Sequence, residues 1–455
     1  MTVHRLEIPI PSPQRLAALV ASQAPACWLD SALSGHPQAN FSLVVLEPQR
    51  ELVVSDYLDL PSKLAGLDAE LARATDVEDD LPFAGGAVGF LSYPSRESEA
   101  VLPAARFWLT DSGIAIDHRR GKAWIFSRGM SRDWTSRDSG RAQERCEELR
   151  RRLESISESV PGGFFLRRLN SSLDRETYLR KVADIQERIR RGDCYQANFS
   201  QRFVAEGEFS PAELFLRLRA ASPAPQMAFL NLGDSQILSA SPEVLLQVEG
   251  RIASSYPIKG TRPRGRDAAE DLRLAKDLQN SPKDAAELLM IVDLVRNDLG
   301  RCCEIGSIRV PELKALESLP QVHHLYAAVQ GKLLPGVGAL EALLSLSPGG
   351  SITGAPKLKA MEILAELESS PRGIYTGSIG FAAFGGKACF NIAIRTAHLR
   401  GGVVEYSAGG GIVADSVPAA EYEESLHKAQ GFFQALGCEP EGIDSASRFP
   451  GTALR

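Results

Sequence analysis

The 455-residue chain carries 51 Lys+Arg against 57 Asp+Glu, a formal net charge of −6, with 44% hydrophobic residues. That length suits one large or two to three ordinary domains at about 150 residues each, and the acidic balance disfavours the basic stripe of a nucleic-acid binder. No apolar run approaches the roughly 20 residues of a membrane helix.

The start MTVHRLEIPIPSPQR lacks the apolar core of a secretory signal, so a soluble, cytoplasmic protein is expected. The 7 cysteines show no CxxC spacing, which argues for reduced thiols rather than a disulfide framework or zinc knuckle. To about Phe126 the pattern predicts short strands at 41–48, 51–58, 83–93, 107–118 and 123–126. Residues 127–152 turn polar and end in the charged helical stretch RAQERCEELRRRL, a surface connection with a boundary near residue 165. This divides the chain into an amino-terminal region 1–165, a second domain 166–438 and a polar, patternless tail 439–455 that is expected to be disordered.

The second domain opens with Asp174 as N-cap and Tyr178, Val182, Ile185 and Ile189 at helical spacing, closed by Gly192. A strand follows, with Tyr195, Ala197, Phe199 and Phe203 on one face and Gln196, Asn198, Ser200 and Arg202 on the other. Residues 227–241 predict a hairpin turning at Gly233-Asp234, and helices recur at 282–297, 357–367 and 418–436. Helices segregated between long strand runs indicate an α+β fold.

Of 39 glycines, 16 fall between Gly331 and Gly411, where even spreading gives about seven. The segment PGGSITGAPK (348–357) lacks the Gly-Lys-Ser/Thr of a phosphate loop. It remains either a glycine-rich turn whose free N–H groups suit an anion or a plain tight turn. SAGGGI (407–412) follows a strand, and Gly409, Gly410 and Gly411 are candidates for an anion nest. Upstream, Asn391–Thr396 alternates so that Arg395 opposes Ile392 and Ile394, a cation suited to a carboxylate or an ordinary surface arginine.

Two helices carry carboxylates at matching spacing. Ser281 caps the first, where Asp284 and Glu287 border Leu288, Ile291, Val292 and Val295; in the second, Glu421, Glu424 and Lys428 border Tyr422, Leu426, Ala429 and Phe433. Facing pairs would give the all-oxygen site that Mg²⁺ prefers, and the alternative is a solvated face. Lys259 and Glu243 become a nucleophile and a general acid only if burial or neighbours shift their pKa values. His323-His324 offers a metal ligand only in part, since adjacent residues face differently.

Taken in order, GDCYQANFSQRF, LSASPE, PIKGTRPRG, KDAAELLMIVDLVRNDLGR, VHHL, PGGSITGAPKLKAMEI, GSIGF, IRT, SAGGGIVADS and EYEES resemble the chorismate-utilising enzymes over residues 174–436. The nearest branch is aminodeoxychorismate synthase component I. The resemblance implies a large antiparallel β-sandwich surrounded by helices, of the anthranilate synthase component I type. Isochorismate and salicylate synthases carry a water-activating lysine where this chain has Gln196, and anthranilate synthases typically carry alanine where it has Lys259.

In the aminodeoxychorismate branch that lysine attacks C2 as the 4-hydroxyl leaves, and ammonia then enters at C4 and expels it. By the same resemblance Glu243 is the general acid, Glu287 and Glu424 are the main Mg²⁺ ligands, and Asp284 and Glu421 support them. Arg395 and Tyr375 hold the enolpyruvyl carboxylate, Gly409 to Gly411 with Lys428 hold the ring carboxylate, and Thr261, His324 and Gln196 line the site.

The implied function is Mg²⁺-dependent amination of chorismate to 4-amino-4-deoxychorismate, for 4-aminobenzoate and folate synthesis. Its competitors are anthranilate synthase component I and a catalytically silent chorismate-binding regulatory subunit. Ammonia would come from a separate glutamine amidotransferase subunit, as no glycine-flanked nucleophile cysteine is present. WLDSALSG (28–35) resembles the region where relatives hold tryptophan, as an inhibitor or a structural ligand.

Overall fold

The computed structural model describes all residues except 1, 2, 34, 74–80, 82, 96–100, 160, 161, 320, 321, 439–443 and 446–455. The expected disordered tail lies outside the described residues apart from Asp444–Ser445, a short strand parallel to Phe164–Ser171. Two large sheets, of 13 and 10 strands, face each other. Side chains such as Val45, Phe83, Phe90, Trp108, Phe126 and Leu230 fill the space between them.

Helices cover both outer faces. Leu16, Phe215, Phe229 and Phe433 pack a helical layer onto the first sheet, while Leu64, Ile291, Val295 and Leu343 pack another onto the second. The α+β sandwich surrounded by helices is therefore the observed architecture. No helix among the described residues is long and apolar enough to cross a membrane.

The strands on either side of residue 165 share both sheets. Ala26–Asp30 pairs with Gln226–Asn231 in the first, and Gly86–Leu91 pairs with Ser378–Ala383 in the second. Several sequence expectations change in detail. The run 107–118 is two strands, Ala105–Thr110 and Ser112–Asp117, placed in different sheets with Asp111 at the break. Asp111 is fully buried and accepts from Gln49, Arg145 and the Met130 amide, which turns a polar residue in a strand pattern into a corner. The expected surface connection contains the helix Ser139–Ser155, capped by Asp138, which buries Ala142, Cys146 and Leu153. Tyr195 does not join the apolar strand face: it is 71% exposed, and the strand begins at Gln196.

What positions the candidate site is a pair of adjacent crossings from one sheet to the other. Gln236–Ser241 lies in the first sheet and Val244–Glu249 in the second, with Glu243 between them. Ala388–Asn391 lies in the second and Thr396–Arg400 in the first, with Arg395 between them. The crossings are tied together by Ile392 N–H to Glu243 O at 3.0 Å and Ala240 N–H to Arg395 O at 2.9 Å.

Beside them sits a buried ion pair. Arg372 meets both oxygens of Glu368 at 2.8 Å and donates to the carbonyls of Ile352 (2.9 Å) and Asn198 (2.6 Å). Glu368 also accepts from the Ser200 amide and hydroxyl, at 3.1 and 2.7 Å. Removing one partner of such a pair leaves an uncompensated buried charge, so Glu368→Gln is expected to lower unfolding free energy by about 3 kcal/mol or more, measured by urea denaturation.

Candidate active site

Glu243 sits at the first crossing with its carboxyl almost fully buried. Ser351 Oγ donates to Oε1 at 2.7 Å, and the Ile258 amide approaches the same oxygen at 3.4 Å. Burial dominates and pushes the carboxyl up to about 7, against the Ser351 hydrogen bond and the attraction of Lys259 and Lys428. Glu243 is thus poised to hold a proton near neutrality.

Lys259 enters from the strand Ile258–Pro263, where the pairing register with Val322–Lys332 slips between Lys259 and Thr261. Its ammonium makes no ion pair within 4 Å among the described residues. Burial pulls its pKa down, opposed first by Glu287 and helped by Lys428. Beyond the slip, Thr261 Oγ1 meets His324 Nδ1 at 2.9 Å. Burial, and then the Arg395 charge, push His324 down to about 3, so its ring is neutral, with Nε2 buried and unpartnered.

Gly409 to Gly411 correct the expected nest. They lie in the extended strand Val403–Ile412, paired opposite Ser200, Phe199 and Asn198. Their lack of side chains clears three different spaces: a Cβ on Gly409 would meet Phe199 O at 2.0 Å, and one on Gly411 would meet Gln196 Nε2 at 2.1 Å and Lys259 Nζ at 3.2 Å. A Cβ on Gly410 would lie 2.9 Å from Glu421 Oε2 and 3.4 Å from Glu424 Oε1. Gln196 is fully buried, and neither amide atom has a partner. Gly354 likewise serves close packing, since a Cβ there would meet Gln196 O at 2.1 Å.

The helices Pro282–Leu299 and Pro418–Leu436 form as expected; Ser281 caps the first and its apolar set is buried, while the second starts after Val417 with no side-chain cap and buries Ala429 and Phe433. Their carboxylates meet different partners. Glu421 is buried and accepts from Ser416 Oγ at 2.7 Å; burial pushes it up. Glu424 is half exposed, and against partial desolvation Lys428 at 2.7 Å, helped by Lys259 and Lys283, holds its carboxylate low. Lys428 also donates to Gly409 O at 2.9 Å. Glu287 is raised by burial and lies 3.9 Å from Lys283. Asp284 is paired with Arg262 at 3.1 Å, and Arg262 also bonds Asp277. Glu287 and Glu421 each lie in the field of Glu424, and Asp284, though paired with Arg262, also bears on Glu287. Among the described residues no group of three or more His, Cys, Asp or Glu side chains is placed to hold a metal ion.

Arg395 does not lie in a strand, as its alternation with Ile392 and Ile394 suggested. It stands in the crossing at φ +50, after a turn in which Ile394 N–H reaches Ile392 O. A non-glycine residue held there is strained and needs surrounding structure to keep it. Its guanidinium reaches Ser222 Oγ at 3.4 Å and has no carboxylate partner among the described residues. Burial lowers its pKa, opposed by Tyr406. Tyr375 is buried, with its pKa pushed up to about 12, and follows the Arg372 anchor; Thr376 N–H bonds Ala393 O in the Arg395 crossing. Ser351, Glu368, Arg372 and Ser222 escaped the sequence reading, because PGGSITGAPK drew attention to backbone donors and its one serine hydroxyl carried no pattern.

Separately, WLDSALSG borders a cavity of about 200 Å³ between the sheets, lined by Asp30, Ser31, Gln226, Met227, Lys387 and Cys389.

The profile of the chorismate binding enzymes matches residues 25–434. Among similar proteins, aminodeoxychorismate synthase component 1 of Escherichia coli (strain K12) is 39% identical over 440 residues, covering 90% of this chain and 93% of that one. Anthranilate synthase component 1 of Pseudomonas aeruginosa is 37% identical over 465 residues, covering 94% and 93%. The crystal structure of anthranilate synthase component I from Streptococcus pneumoniae TIGR4 superposes with a TM-score of 0.76 at 30% identity, covering 88% of this chain and 93% of that one. The match spans both sheets and every residue of the site, and the chain belongs to the chorismate binding enzymes.

Proposed function

We propose that this chain aminates chorismate at C4, giving 4-amino-4-deoxychorismate, as aminodeoxychorismate synthase component I does. The observation that carries the choice over anthranilate formation is Lys259: an amine inside the site, lowered in pKa by burial and without an ion pair within 4 Å among the described residues. Neutral Lys259 forms a bond to C2 as both ring double bonds shift, from C1=C2 to C1=C6 and from C5=C6 to C4=C5, and the C4–O bond breaks. Glu243 gives its proton to the departing hydroxyl, which leaves as water. With C2 occupied, ammonia enters at C4, both double bonds return to C5=C6 and C1=C2, and the Lys259 nitrogen leaves C2 with its electron pair.

Arg395 and Tyr375 are assigned to the enolpyruvyl carboxylate, and the Gly409–Gly411 strand with Lys428 to the ring carboxylate. Neutral His324, Thr261 and Gln196 form the wall around the ring.

Mg²⁺ suits the carboxylates present: it takes oxygen donors, uses one or two carboxylates and keeps several waters. With no side chain on Gly410, the carboxylates of Glu421 and Glu424 share an uncrowded face of the strand that a Cβ would obstruct. Glu287 and Glu424 would be the ion's main ligands, with Glu421 and Asp284 supporting them directly or through water. Bound there, it would offset their charge and fix the ring carboxylate. Ammonia would be supplied by a glutamine amidotransferase subunit, and the 200 Å³ cavity at WLDSALSG is assigned to tryptophan.

Incubation with chorismate, Mg²⁺ and an ammonium salt is expected to yield 4-amino-4-deoxychorismate by chromatography; anthranilate as the product would overturn the assignment, and unchanged chorismate would favour a silent binding subunit. Without ammonia, intact mass spectrometry is expected to show an adduct equal to chorismate less water, absent in Lys259→Ala. Gly410→Ala is expected to weaken Mg²⁺ binding by roughly ten-fold in calorimetry, the scale at which disturbing the setting of metal ligands is felt.

A further inference from the structure

The two donors that reach Glu243 both reach the same oxygen. Ser351 Oγ lies 2.7 Å from Oε1 and the Ile258 amide 3.4 Å from it, whereas Oε2 receives no hydrogen bond from the described residues. A protonated carboxyl has one oxygen that accepts and one that carries the proton. An O–H on Oε1 would set its hydrogen against the incoming Ser351 donor, so the acid proton belongs on Oε2.

Ser351 can enforce this because it is itself held. It lies in the turn Gly350–Ile352, buried, with Arg372 bonded to the Ile352 carbonyl and Thr353 Oγ1 bonded to Gly349 O at 2.9 Å. The strand Gln196–Phe209 adds Asn198 N–H to Thr353 O at 2.9 Å. Glu243 is the one side-chain partner of Ser351 among the described residues.

We propose that Ser351 is the positioning residue of the general acid: it claims Oε1 as acceptor, fixes the transferable proton on Oε2, and bonds more strongly to the carboxylate that the transfer leaves behind. This rests on Glu243 acting as the acid in the function proposed above. As the proton passes from Oε2 to the leaving hydroxyl, with the C4–O electron pair going to that oxygen, Glu243 becomes an anion. A hydrogen bond to an ion is roughly twice as strong as one between neutral groups. Ser351 therefore stabilises the transition state more than the ground state, which is the condition for raising rate rather than binding.

The charged groups facing Glu243 are Lys259 from the neighbouring strand and Lys428 from the helix Pro418–Leu436. Both favour its anion, as the Ser351 bond does. Deleting the hydroxyl thus leaves the proton bound more tightly, and the limb of the pH profile on which activity falls with rising pH moves to higher pH.

The test is kcat and KM for chorismate across pH, at saturating Mg²⁺ and ammonium, in Ser351→Ala, Ser351→Cys and Glu243→Gln. Ser351→Ala is expected to lower kcat by about 10- to 100-fold, the scale of one hydrogen bond to a charged group. Its alkaline limb should move up by about one pH unit, with KM changed less than two- to three-fold. Ser351→Cys, a weaker donor, should fall between it and the parent in both respects, which gives a second reading if the alanine variant folds poorly. An inactive Glu243→Gln beside serine variants whose pH profiles match the parent would overturn the role of Ser351 alone. An active Glu243→Gln would overturn the assignment of Glu243 and the role of Ser351 with it.

Discussion

The buried pair between Arg372 and Glu368 holds three separate pieces of the site in one place. Arg372 reaches the turn that carries Ser351, the strand that carries Gln196 and Asn198, and the Thr376 hydroxyl at the corner next to Tyr375. Glu368 ties in the same strand through Ser200. Desolvating two such ions is costly, and a pair of this kind is weak evidence for stability on its own. Its geometry is better explained by what it connects: the guanidinium bonds that do not go to Glu368 end on Ile352, Thr376 and Asn198, in three different segments.

Once these segments are fixed, burial alone sorts the protonation states. The same exclusion of water raises Glu243 and lowers Lys259, because it penalises whichever form is charged. A free pair of this kind in water would be a carboxylate and an ammonium. Here the environment moves both groups toward their uncharged forms, the acid and the amine. The remaining attraction between the two limits the shift, so burial sets the direction and the neighbouring charges set its size.

The two carboxylate helices were legible because helical spacing and capping are local: Ser281, Pro282 and the apolar set fix which way Glu287 points, and the same holds around Glu424. Lys259 and Glu243 were nameable through motif resemblance, but their burial was not, since it comes from Ser351, Gly411 and Pro418–Leu436, far away in the chain. Arg395 misled because Ile392 and Ile394 alternate like a strand while the backbone turns. Gly409 to Gly411 misled for the opposite reason: without side chains, a strand shows no alternation. At Asp111 one polar residue inside a regular pattern marked a passage between sheets, and only its buried partners reveal it.

The pairing of Ala26–Asp30 with Gln226–Asn231, and of Gly86–Leu91 with Ser378–Ala383, has a bearing on synthesis. A chain made from its amino terminus must carry these early strands with an open edge until partners about 200 and 290 residues later leave the ribosome. The second sheet cannot be completed before Ala388–Asn391 has been made, nor the first before the Val403–Ile412 strand that carries Gly409 to Gly411. Unpaired edges invite pairing with other chains, so the interval between first strand and last is the stage at which this protein is most exposed to aggregation.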